Sequence, residues 1–271
     1  MAVYSEKTPR FELRQAHSYT GRPMKVVAII PAAGLGTRMA AAENAPRAVI
    51  GKTPSKQFTE LMGTPILIHT LRRFVGSPYV QEIYVALRQA EAEGFRPRLE
   101  KEHFSKKIFL VEGGEHRQQS VANALAQVKA EPSDVILVHD AVRPLVEEEV
   151  IANVVDAAKK YGAAIAGLPA VDTVKQVERT AEGAIISSTL PRERVVLAQT
   201  PQGFHFSVLK KAFEDAAEAG FVGTDEASLV ERFGHEVAVV MGSPRNLKIT
   251  TPADLELAEF YMSQPARRAA G

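Results

Sequence analysis

Several short runs in this chain combine residue types suited to handling phosphate. The first is P-A-A-G-L-G-T-R, residues 31–38. Small side chains at Ala32, Ala33, Gly34 and Gly36 let a ligand approach the backbone, where successive amides can converge on an anion. Arg38 adds a permanent charge with a planar donor fork that matches phosphate. A turn made only for packing would also use paired glycines; the arginine is what favours an anion site. The second run, V-H-D-A-V-R-P at 138–144, brings His139, Asp140 and Arg143 to a strand end. Asp140 either holds a hard cation such as Mg²⁺ alongside substrate phosphates, or caps a turn and pairs with Arg143. The third, V-E-G-G-E-H-R-Q-Q-S at 111–120, offers amides and Ser120 to a base edge, or is a helix start capped by Glu115.

Two weaker runs complete the set. T-D-E-A-S, residues 224–228, reads as a helix start with Thr224 as N-cap and acids in the first turn. R-N-L-K-I-T, residues 245–250, places Lys248 in a short strand between Leu247 and Ile249, a setting more usual for an edge lysine that snorkels than for a ligand.

Known phosphate loops do not fit. No Lys-Ser or Lys-Thr pair closes the glycine loop, as a P-loop requires. A dinucleotide fingerprint needs a third glycine where Met39 stands, and an acid after the next strand, where Arg88 stands. There is no D-x-D pair, no nucleophile elbow and no histidine spacing typical of a metal site.

The elements that must position these residues follow from the apolar pattern. Val26–Ile30 is a continuous, β-branched run and reads as a strand buried on both faces. Further strands are expected at 83–87, 108–111, 135–139, 163–168 and 236–241. Helices are expected near 91–103, 117–129, 147–161, 206–219, 225–233 and 252–262, with Gly162 and Gly234 as C-caps. Another helix should start with Thr64 as N-cap and Pro65 in its first turn, burying Leu67, Leu71, Phe74 and Val75. Strands alternating with helices imply an α/β fold with a mostly parallel sheet and helices on both faces. Residues 171–200 break this rhythm and read as a projecting β-hairpin arm, whose apolar alternation calls for a partner. Residues 1–24 read as a flexible N-terminal extension and 263–271 as a C-terminal tail. Residues 40–55, broken by Pro46, Gly51 and Pro54, read as a long mobile loop ending near Lys56.

Composition excludes other classes. With 271 residues, 45% hydrophobic and 24% charged, the chain has room for one large domain or two small ones. A net charge of +1 predicts no bulk attraction to nucleic acid or to a membrane, so phosphate affinity must be local. Cysteine is absent, which rules out disulfides and thiolate chemistry. No apolar run is long enough to span a membrane and no signal peptide is evident, so a cytoplasmic location is expected.

Taken in order, P-A-A-G-L-G-T-R-M, S-K-Q-F, V-E-G-G-E-H-R-Q-Q-S, V-H-D-A-V-R-P, V-D-T-V-K, Q-T-P-Q-G-F, G-T-D-E-A-S and N-L-K-I-T-T-P-A-D-L resemble the 2-C-methyl-D-erythritol 4-phosphate cytidylyltransferases. The resemblance spans about Lys25 to Met262. It implies a Rossmann-like nucleotidyltransferase fold over 25–262, Mg²⁺ dependence, CTP and a polyol phosphate as substrates, and a homodimer joined through the arm at about 171–192. Such enzymes transfer CMP to methylerythritol phosphate and release pyrophosphate in the non-mevalonate route to isoprenoids. By position, Ala32, Ala33, Gly34, Gly36, Arg38 and Lys56 would cradle the CTP phosphates, and Lys248 would reach the α-phosphate. Gly114, Glu115 and Ser120 would hold the nucleoside. Asp140 would sit by Mg²⁺ and substrate, with Arg143 and Thr224 also on the substrate side. Thr173 and Arg192 would contact a substrate bound in the other subunit. The chain departs from the family pattern in a longer separation between Arg38 and Lys56, in Ser55 where a proline is usual, and in Glu115 where aspartate is common. Ribitol-5-phosphate cytidylyltransferases share most of these motifs; the P-A-A-G opening and the arm lysine Lys175 favour methylerythritol phosphate. A nucleotide-sugar glycosyltransferase is disfavoured by the missing D-x-D. A non-catalytic nucleotide-binding module would have less use for Arg38, Lys56 and Lys248.

Overall fold

The computed structural model describes residues 22–34, 55–181 and 183–264. Gly36, Arg38 and nearly all of the 40–55 loop lie outside the described residues, as do most of the two terminal extensions.

Strand β1 (Val26–Pro31) is an interior strand of a seven-stranded sheet. On one side it pairs in parallel with β4 (Glu82–Leu87), and β4 with β5 (Lys107–Glu112). On the other it pairs in parallel with β6 (Val135–Val138). Beyond β6 lie β10 (Val196–His205), β7 (Ala163–Pro169) and β11 (Ala238–Met241). β10 runs antiparallel to both β6 and β7, whereas β11 is parallel to β7. A small ribbon of β2 (Glu60–Leu61) and β3 (Thr64–Pro65) precedes the α-helix that starts at Ile66.

Alternation along the strands builds a core on each face. Val26, Ala28 and Ile30 point to one side, with Leu67, Leu71 and Phe74 of α1 (Ile66–Gly76), Phe95 of α2 (Gln89–Glu100), and Ile151, Val154 and Val155 of α4 (Glu148–Tyr161). Val27 and Ile29 point to the other, with Val121 and Leu125 of α3 (Arg117–Gln127), Leu209 and Phe213 of α5 (Phe206–Glu218), and Leu229 of α6 (Glu226–Arg232). Large buried side chains of this kind contribute about 1.5–3 kcal/mol each, which fixes the register from which the loops emerge. A third cluster, Leu61, Ile66, Val142, Leu145, Ile249 and Ala258, lies beneath the loops and docks α7 (Pro252–Ser263).

Most expected elements form, with bounds shifted by a few residues. Gly162 ends α4 at φ +84°, a conformation that favours glycine. Four local expectations are corrected. Thr64–Pro65 pairs as strand β3, so α1 starts at Ile66 and Thr64 does not cap it. Asp225, not Thr224, caps α6, because its carboxylate accepts from the Ser228 amide in a capping box. Glu115 does not cap α3; the helix starts after His116, and the side chain of Gln119 reaches back to the Glu115 amide. Residues 245–250 form a loop rather than a short strand: the Gln199 side chain of β10 bonds the Ser243 backbone, and Asn246 donates its side-chain amide to the Thr200 carbonyl, in place of a ladder. The arm forms as expected: β8 (Val174–Thr180) and β9 (Gly183–Leu190) make a separate two-stranded sheet. β10 itself is not among the expected strands; its first half falls in the 171–200 stretch read as arm, yet it pairs within the main sheet.

Candidate active site

The carboxyl ends of β1, β4, β5 and β6 face the same edge, the edge where open α/β sheets bind ligands. Ala32–Gly34 leave β1 there, and the Ala32 amide donates to the Ala86 carbonyl at 2.8 Å. Beside them Gly113 and Gly114 leave β5. A Cβ at Gly113 would lie 2.4 Å from the Ala33 side chain, so only glycine lets the two loops close on each other. Gly114 donates its amide to Ser120 Oγ at 3.0 Å, and Ser120 donates to the His116 carbonyl at 3.1 Å. Ser120 is thus a buried brace for the loop, while Glu115 stays exposed on its outer lip.

Asp140 follows β6 and forms the floor. Its carboxylate is 2.9 Å from Lys248 Nζ, 3.2 Å from Arg117 Nε and 3.4 Å from Arg143 Nε. Burial by itself would push this carboxyl up, but Arg117, then Lys248 and Arg143, more than offset it and hold it well below the usual carboxylate range. Arg117 also grips Glu226 with Nη1 at 2.7 and 2.8 Å from its two oxygens. Burial opposes the Arg117 charge, yet Glu226 and Asp140 together raise its pKa above the ordinary arginine value.

Behind Asp140 a chain of hydrogen bonds fixes the turn. The Asp140 amide donates to Thr200 Oγ1 at 3.0 Å, and Thr200 stands 3.1 Å from His139 Nδ1. His139 Nε2 is 3.0 Å from the Arg143 carbonyl, which can only accept, so the proton is on Nε2 and Thr200 donates to Nδ1. Burial lowers the His139 pKa to about 4, so the ring is neutral at physiological pH. Arg143 donates to the Asn246 carbonyl at 2.7 Å, and the Ile249 amide donates to Val142 at 2.9 Å. These contacts carry Lys248 to Asp140 across more than 100 residues of sequence.

Two adjoining clefts result. One, of about 260 Å³, is lined by Ala32, Ala33, Gly34, Lys56, Gly114, Glu115, Arg117, Ser120, Asp140 and Lys248 among others. The second, of about 200 Å³, is lined by Arg117, Asp140, Arg143, Thr200, Gln202, Thr224, Asp225 and Lys248 among others. Arg117, Asp140 and Lys248 form their common wall. Lysine and arginine outnumber carboxylates among the lining residues of each, so both favour anions.

Of the residues singled out from sequence, Ala32, Ala33, Gly34, Lys56, Gly114, Glu115, Ser120, Asp140 and Lys248 thus share one cleft, and Arg143 and Thr224 line its neighbour. Thr173 and Arg192 line neither. Both are exposed at the base of the arm, where Arg192 donates to the Val171 carbonyl at 2.9 Å. Sequence spacing does not single out Arg117, Glu226, Thr200 or Gln202. Arg117 and Glu226 sit inside runs that it does, so a search for buried ion partners among those runs was the available signal. Thr200 and Gln202 lie in Q-T-P-Q-G-F, which enters only through the family resemblance; a strand made of Q-T-P-Q lacks the apolar alternation that would mark it.

The model described as 2-C-methyl-D-erythritol 4-phosphate cytidylyltransferase matches residues 26–264. The chain is similar to the enzyme of that name from Acidobacterium capsulatum, with 56% identity over 90% of this chain and 100% of the relative. For the one from Solibacter usitatus the figures are 48%, 90% and 98%. Among solved structures, the Francisella tularensis 2-C-methyl-D-erythritol 4-phosphate cytidylyltransferase superimposes with a TM-score of 0.71 at 35% identity, covering 87% of this chain and 99% of that one. The enzyme of the same name from Thermus thermophilus gives 0.67 at 34%, covering 88% and 98%. The chain therefore belongs to the 2-C-methyl-D-erythritol 4-phosphate cytidylyltransferase family.

Proposed function

We propose that this cytidylyltransferase couples CTP to 2-C-methyl-D-erythritol 4-phosphate across the wall between its two clefts. CTP occupies the larger cleft, with its phosphates against Ala32–Gly34, Arg38 and Lys56 and its nucleoside toward Gly114, Glu115 and Ser120. The acceptor occupies the smaller cleft beside Arg143 and Thr224. The observation that carries this reading is that Lys248 and Arg117 line both clefts. Cations there are placed to touch a phosphate from each substrate at once.

The chemistry needs little more. A phosphate monoester has its second pKa near ~6, so the attacking oxygen is already anionic and needs no general base. What must be supplied is charge neutralisation, to bring that oxygen in line with the α-phosphorus and to stabilise the charge on departing pyrophosphate. Lys248 and Arg117 meet the first need, Arg38, Lys56 and the glycine-loop amides the second. Asp140 keeps Lys248, Arg117 and Arg143 converging on one point despite their mutual repulsion.

Among the described residues no group of three or more His, Asp or Glu side chains could hold a metal by itself. Asp140 offers one carboxylate, already balanced by cations. The residues therefore fit a Mg²⁺ ion that arrives with the triphosphate as its other ligand, and do not fit a resident ion. When bound, such an ion withdraws negative charge from the phosphates. Asp140 is the residue that would hold it.

Thr173 and Arg192 act in the neighbouring subunit's acceptor cleft. This is supported by their exposure and by the apolar surface of the arm. Pyrophosphate release from CTP with methylerythritol phosphate, with ribitol 5-phosphate, or with neither tests the reading. Turnover should require the first, and equal or faster turnover with ribitol 5-phosphate would overturn it.

A further inference from the structure

Ser55, Gln57 and Phe58 flank the cleft lysine, and each is docked by its side chain. Gln57, buried, donates Nε2 to the Ala32 carbonyl of the glycine loop at 2.6 Å. The Phe58 ring lies 5.5 Å from that of Phe95 on α2. Ser55 is 7% exposed, and its hydroxyl bridges two charged groups. It accepts from Arg88 Nη2 at 2.6 Å and donates to Glu91 Oε1 at 2.5 Å, while Arg88 and Glu91 also pair directly. Arg88 Nε and Glu91 Oε2 are buried without a hydrogen-bond partner, so the serine hydroxyl is one of few polar contacts this pair has. The Ser55 carbonyl then accepts from the Phe58 amide at 2.8 Å, closing the turn that presents Lys56 to the cleft.

We propose that Ser55, clasped between Arg88 and Glu91, is a positioning residue that sets the height of Lys56 over the nucleotide phosphates. Ser55, Arg88 and Glu91 line neither cleft, so the effect of the clasp passes through the lysine. The inference rests on the assignment of Lys56 to those phosphates. The Ser55 backbone has φ −57° and ψ 144°, a conformation that proline holds without any hydroxyl. The clasp and a proline ring are thus two physical routes to one backbone geometry, which supplies a rescue test.

The experiment measures kcat, KM for CTP and thermal midpoint for Ser55→Ala, Ser55→Pro, Lys56→Ala and the double variant Ser55→Ala/Lys56→Ala. Ser55→Ala should lower kcat/KM for CTP by about 10- to 100-fold, the scale of a misplaced catalytic group, with the midpoint moved by no more than about 4 °C. Ser55→Pro should recover most of that loss, and Ser55→Ala should cost nothing further once Lys56 is alanine. Full activity in Ser55→Ala, an equal loss in both lysine backgrounds, or a proline variant as impaired as alanine would each overturn the clasp while leaving the functional reading intact. Normal turnover in Lys56→Ala would overturn the lysine assignment and this inference with it.

Discussion

The end of β6 and the β8–β9 arm are opposite solutions to holding functional groups. At Asp140 every polar group is fixed from several directions, by Arg117, Lys248, Arg143 and Thr200, and the residues below are fully buried. The arm is paired only to itself and exposes Ile185 by 65% and Ile186 by 59%. An isolated two-stranded ribbon is marginal in water, and apolar side chains displayed this way gain nothing unless covered. The difference teaches where each part gets its order. The β6 end draws it from the chain's own core, whereas on the proposed reading the arm draws it from a second copy. On that reading Thr173 and Arg192 would be placed by assembly, and the rest of the site by folding.

The largest effect should come from breaking the assembly half of that contrast. Ile185→Lys/Ile186→Lys is expected to convert the protein to monomer and to lower turnover about 100-fold or more, checked by sedimentation and pyrophosphate release. A sharper version mixes two inactive homodimers, Arg192→Ala and Asp140→Asn. If Arg192 serves the partner's cleft, subunit exchange should restore about a quarter of wild-type activity, because half the dimers are hybrids with one intact site. No recovery after demonstrated exchange would place Arg192 in its own subunit's chemistry.

The smallest effect concerns the self-contained half. His139 is held neutral in the fold, with a pKa of about 4 against an ordinary 6.5. Between those values the unfolded chain binds a proton that the folded chain refuses. Stability should therefore be flat above about pH 6.5 and fall as pH drops toward about 4, by up to about 1.4 kcal/mol per unit. Asp140 acts in the same direction but only in strong acid, because its folded pKa lies below that of the unfolded carboxyl. Urea midpoints at pH 7 and pH 5 check this: His139→Asn should be less stable at pH 7 yet show a shallower fall. The difference between variants separates His139 from His69 and His205, which are also lowered by burial. An unchanged slope would mean that folding does not shift the His139 titration.

Legibility from sequence followed the same divide. Strands β1, β4 and β6 could be read because burial on both faces leaves continuous apolar runs rich in β-branched residues, and α4 and α5 because one apolar stripe repeats at helical spacing. β10 was not legible. Its Gln199, Thr200 and Gln202 face polar work, stapling the 242–249 loop, the Asp140 turn and α6 to the sheet, so they carry no alternation. For the same reason Lys248 read as an edge residue: its partner Asp140 is distant in sequence, and only tertiary structure joins them. The glycine loops were legible because close backbone approach restricts the residue type, as at Gly113. Arg117 and Glu226 were not, since a buried arginine–carboxylate pair leaves no local pattern. The family resemblance bridged part of this gap, placing Lys248 and Asp140 together where residue spacing did not.

The measurement that bears most directly on this account is the turnover of Lys248→Ala with CTP and methylerythritol phosphate, alongside circular dichroism of the variant. Lys248 stands in the wall shared by both clefts, so its removal should lower kcat by at least about 100-fold with the fold intact. A folded variant that turns over at near the parent rate would contradict the claim that cations in that wall carry the transfer.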